Sequence, residues 1–150
     1  MRVSGVAVLV VGVACASGAL AGDSAARRLA DEWIAACQNR DVATWQKLFA
    51  PEASYEDSVT PTPVKAVTHF GPFARLWPEA SHWQCVQQRF IPLEQGGAIH
   101  WVAKGRVRDV DLEFVGLAVF GVVHQRIVWM RNYFDARSFL KLLRSTAAAQ

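Results

Sequence analysis

Of the 150 residues only three are cysteine, two are methionine and two are tyrosine, and 19% carry a formal charge. Cys15, Cys37 and Cys85 make neither a CxxC pair nor a Cys/His spacing of the kind zinc uses, so a metal-ribbon or finger reading is excluded. No GxGxxG, GxxxxGK[ST] or HExxH run occurs, which leaves nucleotide and zinc-hydrolase chemistry, and with them any cofactor, without sequence support. Nothing places a histidine against Cys37, and no serine stands out as an activated nucleophile. Charge of one sign is scarce as well. The net charge is +3, and Arg27/Arg28, Lys104/Arg106/Arg108 and Arg126/Arg131 are interleaved with acids, so no basic face is available for nucleic acid. The length allows one domain and rules out a two-domain enzyme.

What is abundant is apolar: 52% of the chain belongs to the hydrophobic set, enough for a core. It is unevenly spread. Met1 to Ala21 holds Arg2, no acid, an apolar stretch from Val6 to Ala16, and small residues at Ala19 and Ala21. These are the parts of a secretory signal, with cleavage expected after Ala21 and a secreted or periplasmic mature protein. An uncleaved anchor is the lesser alternative, because a spanning helix needs about 20 predominantly apolar residues and Gly5, Gly12, Ser17 and Gly18 interrupt this one. Lipidation at Cys15 is another, although the leucine of a lipidation box is missing. Removal of the segment lowers the charge from +3 to +2 and leaves Cys37 and Cys85. In an oxidising compartment these two form one bridge or remain two buried thiols.

The mature chain, 22–150, reads as a single domain in two parts. Asp23 or Ser24 caps a first helix whose Leu29, Trp33, Ile34 and Cys37 share a side, ending near Asn39. Asp41 caps a second, with Val42, Trp45, Leu48 and Phe49 as its apolar face, which Pro51 is expected to stop. Ser54 to Val59 is a short strand, closed by Pro61 and Pro63, and Gly71–Pro72 opens a third helix toward Trp77 and Pro78. Four Val- and aromatic-rich strands follow, at Trp83–Ile91, Ala98–Val107, Leu112–Val123 and Arg126–Asp135, with a helical turn over Ser138–Leu143 at the end. The expected fold is α+β: N-terminal helices packed on a curved, mostly antiparallel sheet that forms a cone with an apolar pocket. Trp129 and Tyr133 alternate with Met130, Asn132 and Phe134, so the other sheet face is apolar too, which predicts a homodimer.

The run Leu48-Phe49-Ala50-Pro51-Glu52-Ala53-Ser54-Tyr55-Glu56-Asp57 resembles the superfamily of ketosteroid isomerases, SnoaL-like polyketide cyclases and limonene epoxide hydrolase, whose fold is the cystatin-like cone. A second stretch, Trp129-Met130-Arg131-Asn132-Tyr133-Phe134-Asp135, is similar to the closing strand of the hydrolase branch. The resemblance implies a cofactor-free enzyme of the isomerase, cyclase or hydrolase class, with Asp57 moving a proton on a small hydrophobic molecule. A non-catalytic hydrophobic-ligand-binding or dimerisation module of the same fold is the alternative. Departures from the family pattern are specific. Trp33 stands where isomerases keep a tyrosine, and the late-strand carboxylic acid falls near Leu117 or Ala118. Asn132 takes the place of the hydrolase's closing-strand acid.

The candidate catalytic residues are therefore Asp57, Tyr55 and Asn132. Tyr55 and Asp57 lie two apart on one strand face, and Asn132 shares a face with Met130 and Phe134. Asp57 also suits a turn aspartate bonded to nearby amides. Trp33, His100, Phe120, Met130 and Phe134 are the candidate substrate-binding residues, although for His100 a strand histidine on a polar face with Lys104 and Arg106 is the preferred reading. His69, just before Gly71–Pro72, either closes over a pocket or is an exposed loop residue, and the exposed reading is preferred. Arg106-Val107-Arg108-Asp109 reads as a solvated hairpin tip.

Overall fold

Helical spacing and strand alternation resolve, in a computed structural model, into helices laid over one mixed sheet; residues 17–69 and 77–147 are described. Helix α1 (Ser17–Asn39) turns Ala26, Leu29, Ala30, Trp33, Ala36 and Cys37 into the core, the i, i+3, i+4, i+7 pattern of a helix packed on one side. It starts ahead of the expected cleavage point after Ala21, and the rest of the expected signal lies outside the described residues. Helix α2 (Val42–Lys47) is capped by Asp41, whose Oδ1 accepts from Thr44 N at 2.9 Å. The Thr44 hydroxyl and amide hold the Asp41 carboxyl below its ordinary range.

The six strands are β1 (Phe49–Asp57), β2 (Thr60–Lys65), β3 (Ala80–Leu93), β4 (Gly96–Val107), β5 (Val110–Val123) and β6 (Arg126–Phe134), in the order β2-β1-β6-β5-β4-β3. All pairings are antiparallel except β1 with β6. The four late strands form the expected meander, the first three slightly longer than their sequence signals and the last ending one residue earlier, at Phe134, and Arg108 and Asp109 sit at the β4–β5 tip. The open curved sheet with helices on one side is the expected α+β cone.

Two prolines behave differently from expectation. Pro51 does not end α2, which closes at Lys47 with Leu48 as its cap; it lies in β1, between the points where Phe49 and Ser54 meet β6 and the register shifts. Pro61 and Pro63 do not close the first strand but belong to β2. This strand is at the sheet edge, where a missing N–H leaves no ladder bond broken and discourages pairing with another chain. The expected third helix falls mostly outside the described residues; Trp77–Glu79 is a 3-10 turn that contains Pro78 rather than ending before it. Helix α3 (Arg137–Ala147) is longer than the expected turn. Ser138 Oγ meets both Glu113 N (3.3 Å) and Glu113 O (2.7 Å), so α3 satisfies backbone of β5 beyond the end of β6.

Cys37 and Cys85 are joined, tying α1 to β3 with their Cα atoms 5.8 Å apart. Gln38 and Trp83 reinforce the same seam, through Cys85 N donating to Gln38 Oε1 (2.6 Å) and Trp83 Nε1 to Cys37 O (3.1 Å). A cross-link spanning 48 residues removes about 4 kcal/mol worth of unfolded-chain entropy. Reduction, or the Cys37→Ala/Cys85→Ala pair, is expected to lower unfolding free energy by about 2–4 kcal/mol in a denaturant titration, and a non-reduced peptide map should recover the linked pair.

Candidate active site

The parallel pairing of β1 with β6 builds the site. Its register sets Tyr55 beside Met130 and Asp57 beside Asn132, and the antiparallel β5–β6 register continues these rows to Phe120 and Ala118. Because side chains alternate along a strand, Tyr55, Asp57, Met130, Asn132 and Phe134 all point to the helix-covered inner face. Tyr55 and Asn132 are 1% exposed and Asp57 is 4% exposed, the two latter being the buried polar residues of the described core.

These groups are joined by a directed series of contacts. Trp101 Nε1 donates to Asn132 Oδ1 at 3.0 Å, and Asn132 Nδ2 donates to Tyr55 Oη at 3.3 Å. Burial, then the neighbouring Asp57 charge, pushes the Tyr55 phenol far above its ordinary value, so it stays protonated. Asp57 is used unequally. Its Oδ1 accepts from Val59 N (2.9 Å) and Thr60 N (2.6 Å), holding the β1–β2 turn, whereas Oδ2 is buried without a donor in hydrogen-bonding geometry. Asp57 is thus both the turn aspartate and the inward carboxylate that the sequence allowed as alternatives.

His69 joins the group, contrary to the exposed-loop reading. It is half-buried, its ring lies 5.7 Å from that of Tyr55, and Nε2 is 3.4 Å from Thr60 Oγ1. Trp33 contributes a ring 5.8 Å from Trp101, and its own Nε1 is buried without a partner. Phe120, Met130 and Phe134 are buried on the inner face. His100 is not brought in. It is one residue from inward-facing Trp101, so strand alternation turns it to the exposed outer face opposite Leu117. Of the two positions near the family's late-strand acid, Leu117 points outward and Ala118 inward, leaving an apolar methyl beside Asn132. Trp101 is the residue the sequence reading passed over; its inward position was available from alternation with exposed His100 and Lys104.

Residues that alternate with this group line a separate cleft of about 340 Å³ on the outer side of β1 and β6. Ser54, Glu56, Pro63, Trp129 and Arg131 line it together with Tyr55 and Met130 of the same two strands, and an Arg131 Nε to Glu56 Oε1 bridge of 2.6 Å crosses it. Among the described residues no three His, Cys, Asp or Glu side chains gather to hold a metal ion.

No protein-family model matches the chain, and no curated protein matches its sequence. Solved structures do match its fold. A protein of ketosteroid isomerase-like fold from Catenulispora acidiphila, solved with trimethylamine, superimposes with a TM-score of 0.65 at 16% identity over 75% of this chain and 89% of its own. An LEH-like epoxide hydrolase from M. tuberculosis gives 0.63 at 20% identity, covering 85% and 96%. A protein described as a SnoaL-like polyketide cyclase from Shewanella denitrificans gives 0.64 at 14%, covering 79% and 96%. The chain therefore has the cone fold that these isomerase-like, cyclase-like and hydrolase proteins share.

The elevated Tyr55 phenol has a thermodynamic consequence. Folded and unfolded chains both keep this proton at neutral pH, but above about 10 only the unfolded chain releases it, so stability falls as pH rises past that point. Denaturation midpoints measured from pH 8 to 11 are expected to fall less steeply in Tyr55→Phe than in the wild type; equal slopes would contradict the assignment.

Proposed function

We propose that the chain is a cofactor-free acid/base enzyme acting on a small hydrophobic molecule bound against the inner sheet face, in the isomerase, cyclase or hydrolase class. The observation that carries this reading is Asp57 Oδ2, a buried carboxylate oxygen that takes no backbone donor and neighbours the Tyr55 phenol, whose own oxygen accepts from the Asn132 amide. A buried carboxylate oxygen with so little compensation is costly, and it calls for a donor from a neighbouring hydroxyl, a water or a bound molecule. Asp57 takes a proton from the substrate or from an attacking water. Tyr55, held protonated, and Asn132 orient the substrate and stabilise the oxygen on which charge develops. Trp33, Phe120, Met130 and Phe134 supply the apolar wall. The likeness of the fold to known enzymes supports the class and leaves the reaction open.

The second reading, a non-catalytic binding module, draws on Ala118. The inward late-strand position carries no donor, and Asp57 Oδ1 is already spent on the β1–β2 turn. The disulfide supports an oxidising compartment, secreted or periplasmic. The outer face presents Val86, Val115, Leu117, Trp129 and Tyr133, all more than a third exposed, and a second copy of the chain suits this apolar strip.

The test separates these readings. Native mass spectrometry of protein from its own host should show a retained small molecule, and turnover is then followed on that compound and its close analogues. Asp57→Asn keeps an acceptor for Val59 and Thr60, so it should fold normally, bind the compound, and lose at least about 100-fold in kcat. Unchanged turnover in Asp57→Asn would overturn the role given to Asp57, and no turnover by the wild type would overturn the enzyme reading; Asp57→Ala should additionally lose about 2 kcal/mol of stability through the two freed amides. Light scattering at micromolar concentration is expected to give a dimer that Leu117→Lys converts to monomer; a monomeric wild type contradicts the pairing.

A further inference from the structure

Tyr55 and Asn132 do not by themselves decide where their hydrogens point, because a hydroxyl and a primary amide each both donate and accept. An indole has no such ambiguity: Nε1–H only donates. We propose that Trp101 is a positioning residue whose indole N–H fixes the Asn132 amide, so that the amide donates to Tyr55 and the Tyr55 proton is the one left to serve Asp57 and the bound molecule. This rests on the role given to Tyr55 and Asn132 in the proposed function and names what sets it.

The contacts run in one sense. With Trp101 Nε1 3.0 Å from Oδ1, the amide must present NH2 to Tyr55 Oη, 3.3 Å away, and the phenol oxygen becomes an acceptor there. The reverse amide orientation would set NH2 against the indole N–H, two donors facing each other in a buried place. It would also let Oδ1 take the Tyr55 proton, turning the hydroxyl away from Asp57. Ala118, the neighbour of Asn132 on β5, offers no side-chain group to compete.

The fold makes room for this contact at one position. Trp101 is on β4 and Asn132 on β6, with β5 between them, and the residue directly across from Trp101 is Gly116. A Cβ at Gly116 would stand 2.5 Å from Trp101 Cζ2, 2.6 Å from Cε2 and 2.8 Å from Tyr133 O. The bare backbone therefore lets the indole lie across β5 and reach the next strand. Trp33 at 5.8 Å and Phe134 at 6.2 Å hold the ring.

Two variants attack the contact from opposite sides: Trp101→Phe keeps a ring and removes the donor, and Gly116→Ala keeps the donor and displaces the ring. Both are read by NMR on the full chain, with nitrogen-15 throughout and carbon-13 at tyrosine Cζ. In the wild type the Asn132 NH2 protons should give stronger cross-peaks to the Tyr55 ring than to Trp101 Hε1; the opposite ranking overturns the proposal before any variant is made. In either folded variant the Asn132 amide and Tyr55 Cζ signals should move, and the amide protons should exchange about tenfold faster or more. Unmoved signals in folded Trp101→Phe overturn it, and Gly116→Ala decides by the same signals if Trp101→Phe does not fold. On a turned-over compound, kcat should fall about tenfold or more with KM within about twofold. If the wild type turns nothing over while the signals move, the enzyme reading fails and the positioning role of Trp101 stands.

Discussion

Everything chemical in this chain depends on the parallel contact between β1 and β6. These strands are far apart in sequence, and a parallel pair cannot be made by a tight turn, so the whole meander from β3 to β6 intervenes before the sheet can bring them together. The register has little freedom. Ile127 N donates to Leu48 O at 2.9 Å at one end, and Phe134 N to Ser58 Oγ at 2.8 Å at the other. The Arg131–Glu56 bridge pins the outer face between them. A slip of one residue would turn Tyr55 and Asp57 out of the core and bring Ser54 and Glu56 in. The irregular stretch around Pro51 absorbs the mismatch between the strands without disturbing the register where it matters.

The divided use of Asp57 explains how a carboxylate is kept in so apolar a place. Two backbone amides offset part of the cost of burying it and fix its orientation through one oxygen. The other oxygen is buried beside the Tyr55 phenol, so the contacts that hold the turn all fall on one atom of the group. Tyr55 is constrained from both sides, by Asn132 at its oxygen and by the Asp57 charge near its proton. His69 lies over the phenol ring and reaches Thr60, whose amide is one of the two that hold Asp57, so β2 and the segment after it also bear on this carboxylate.

The fold was legible in the sequence because its signals are local. The cap at Asp41, the apolar spacing of α1 and the alternation of the four late strands each reflect interactions within a few residues, and each element appears where those interactions put it. Strand β2 was hidden because its prolines argue against a strand unless it is at a sheet edge, and edge position is a property of the whole sheet. Tyr55, Asp57 and Asn132 could be named from alternation and resemblance, yet what joins them was not visible, since Trp101 acts across an intervening strand through a gap left by Gly116. His100 and Trp101 differ by one position along β4, which puts the histidine on the exposed outer face and the indole on the buried inner one.

That alternation also links the two surfaces of the sheet. Two polar residues, Asp57 and Asn132, sit among the apolar ones on the inner face, and Val115, Leu117, Trp129 and Tyr133 share the outer face with Lys104, Glu113 and Arg131. These two departures from plain alternation are connected. Leu117 adjoins Gly116 and Ala118, and Tyr133 adjoins Asn132, so the strand segments that carry the outer apolar strip are those that place the inner contacts of Trp101 and Asn132. A cover on the outer face would hold β5 and β6 against the motions that shift an inner hydrogen bond by a few tenths of an ångström.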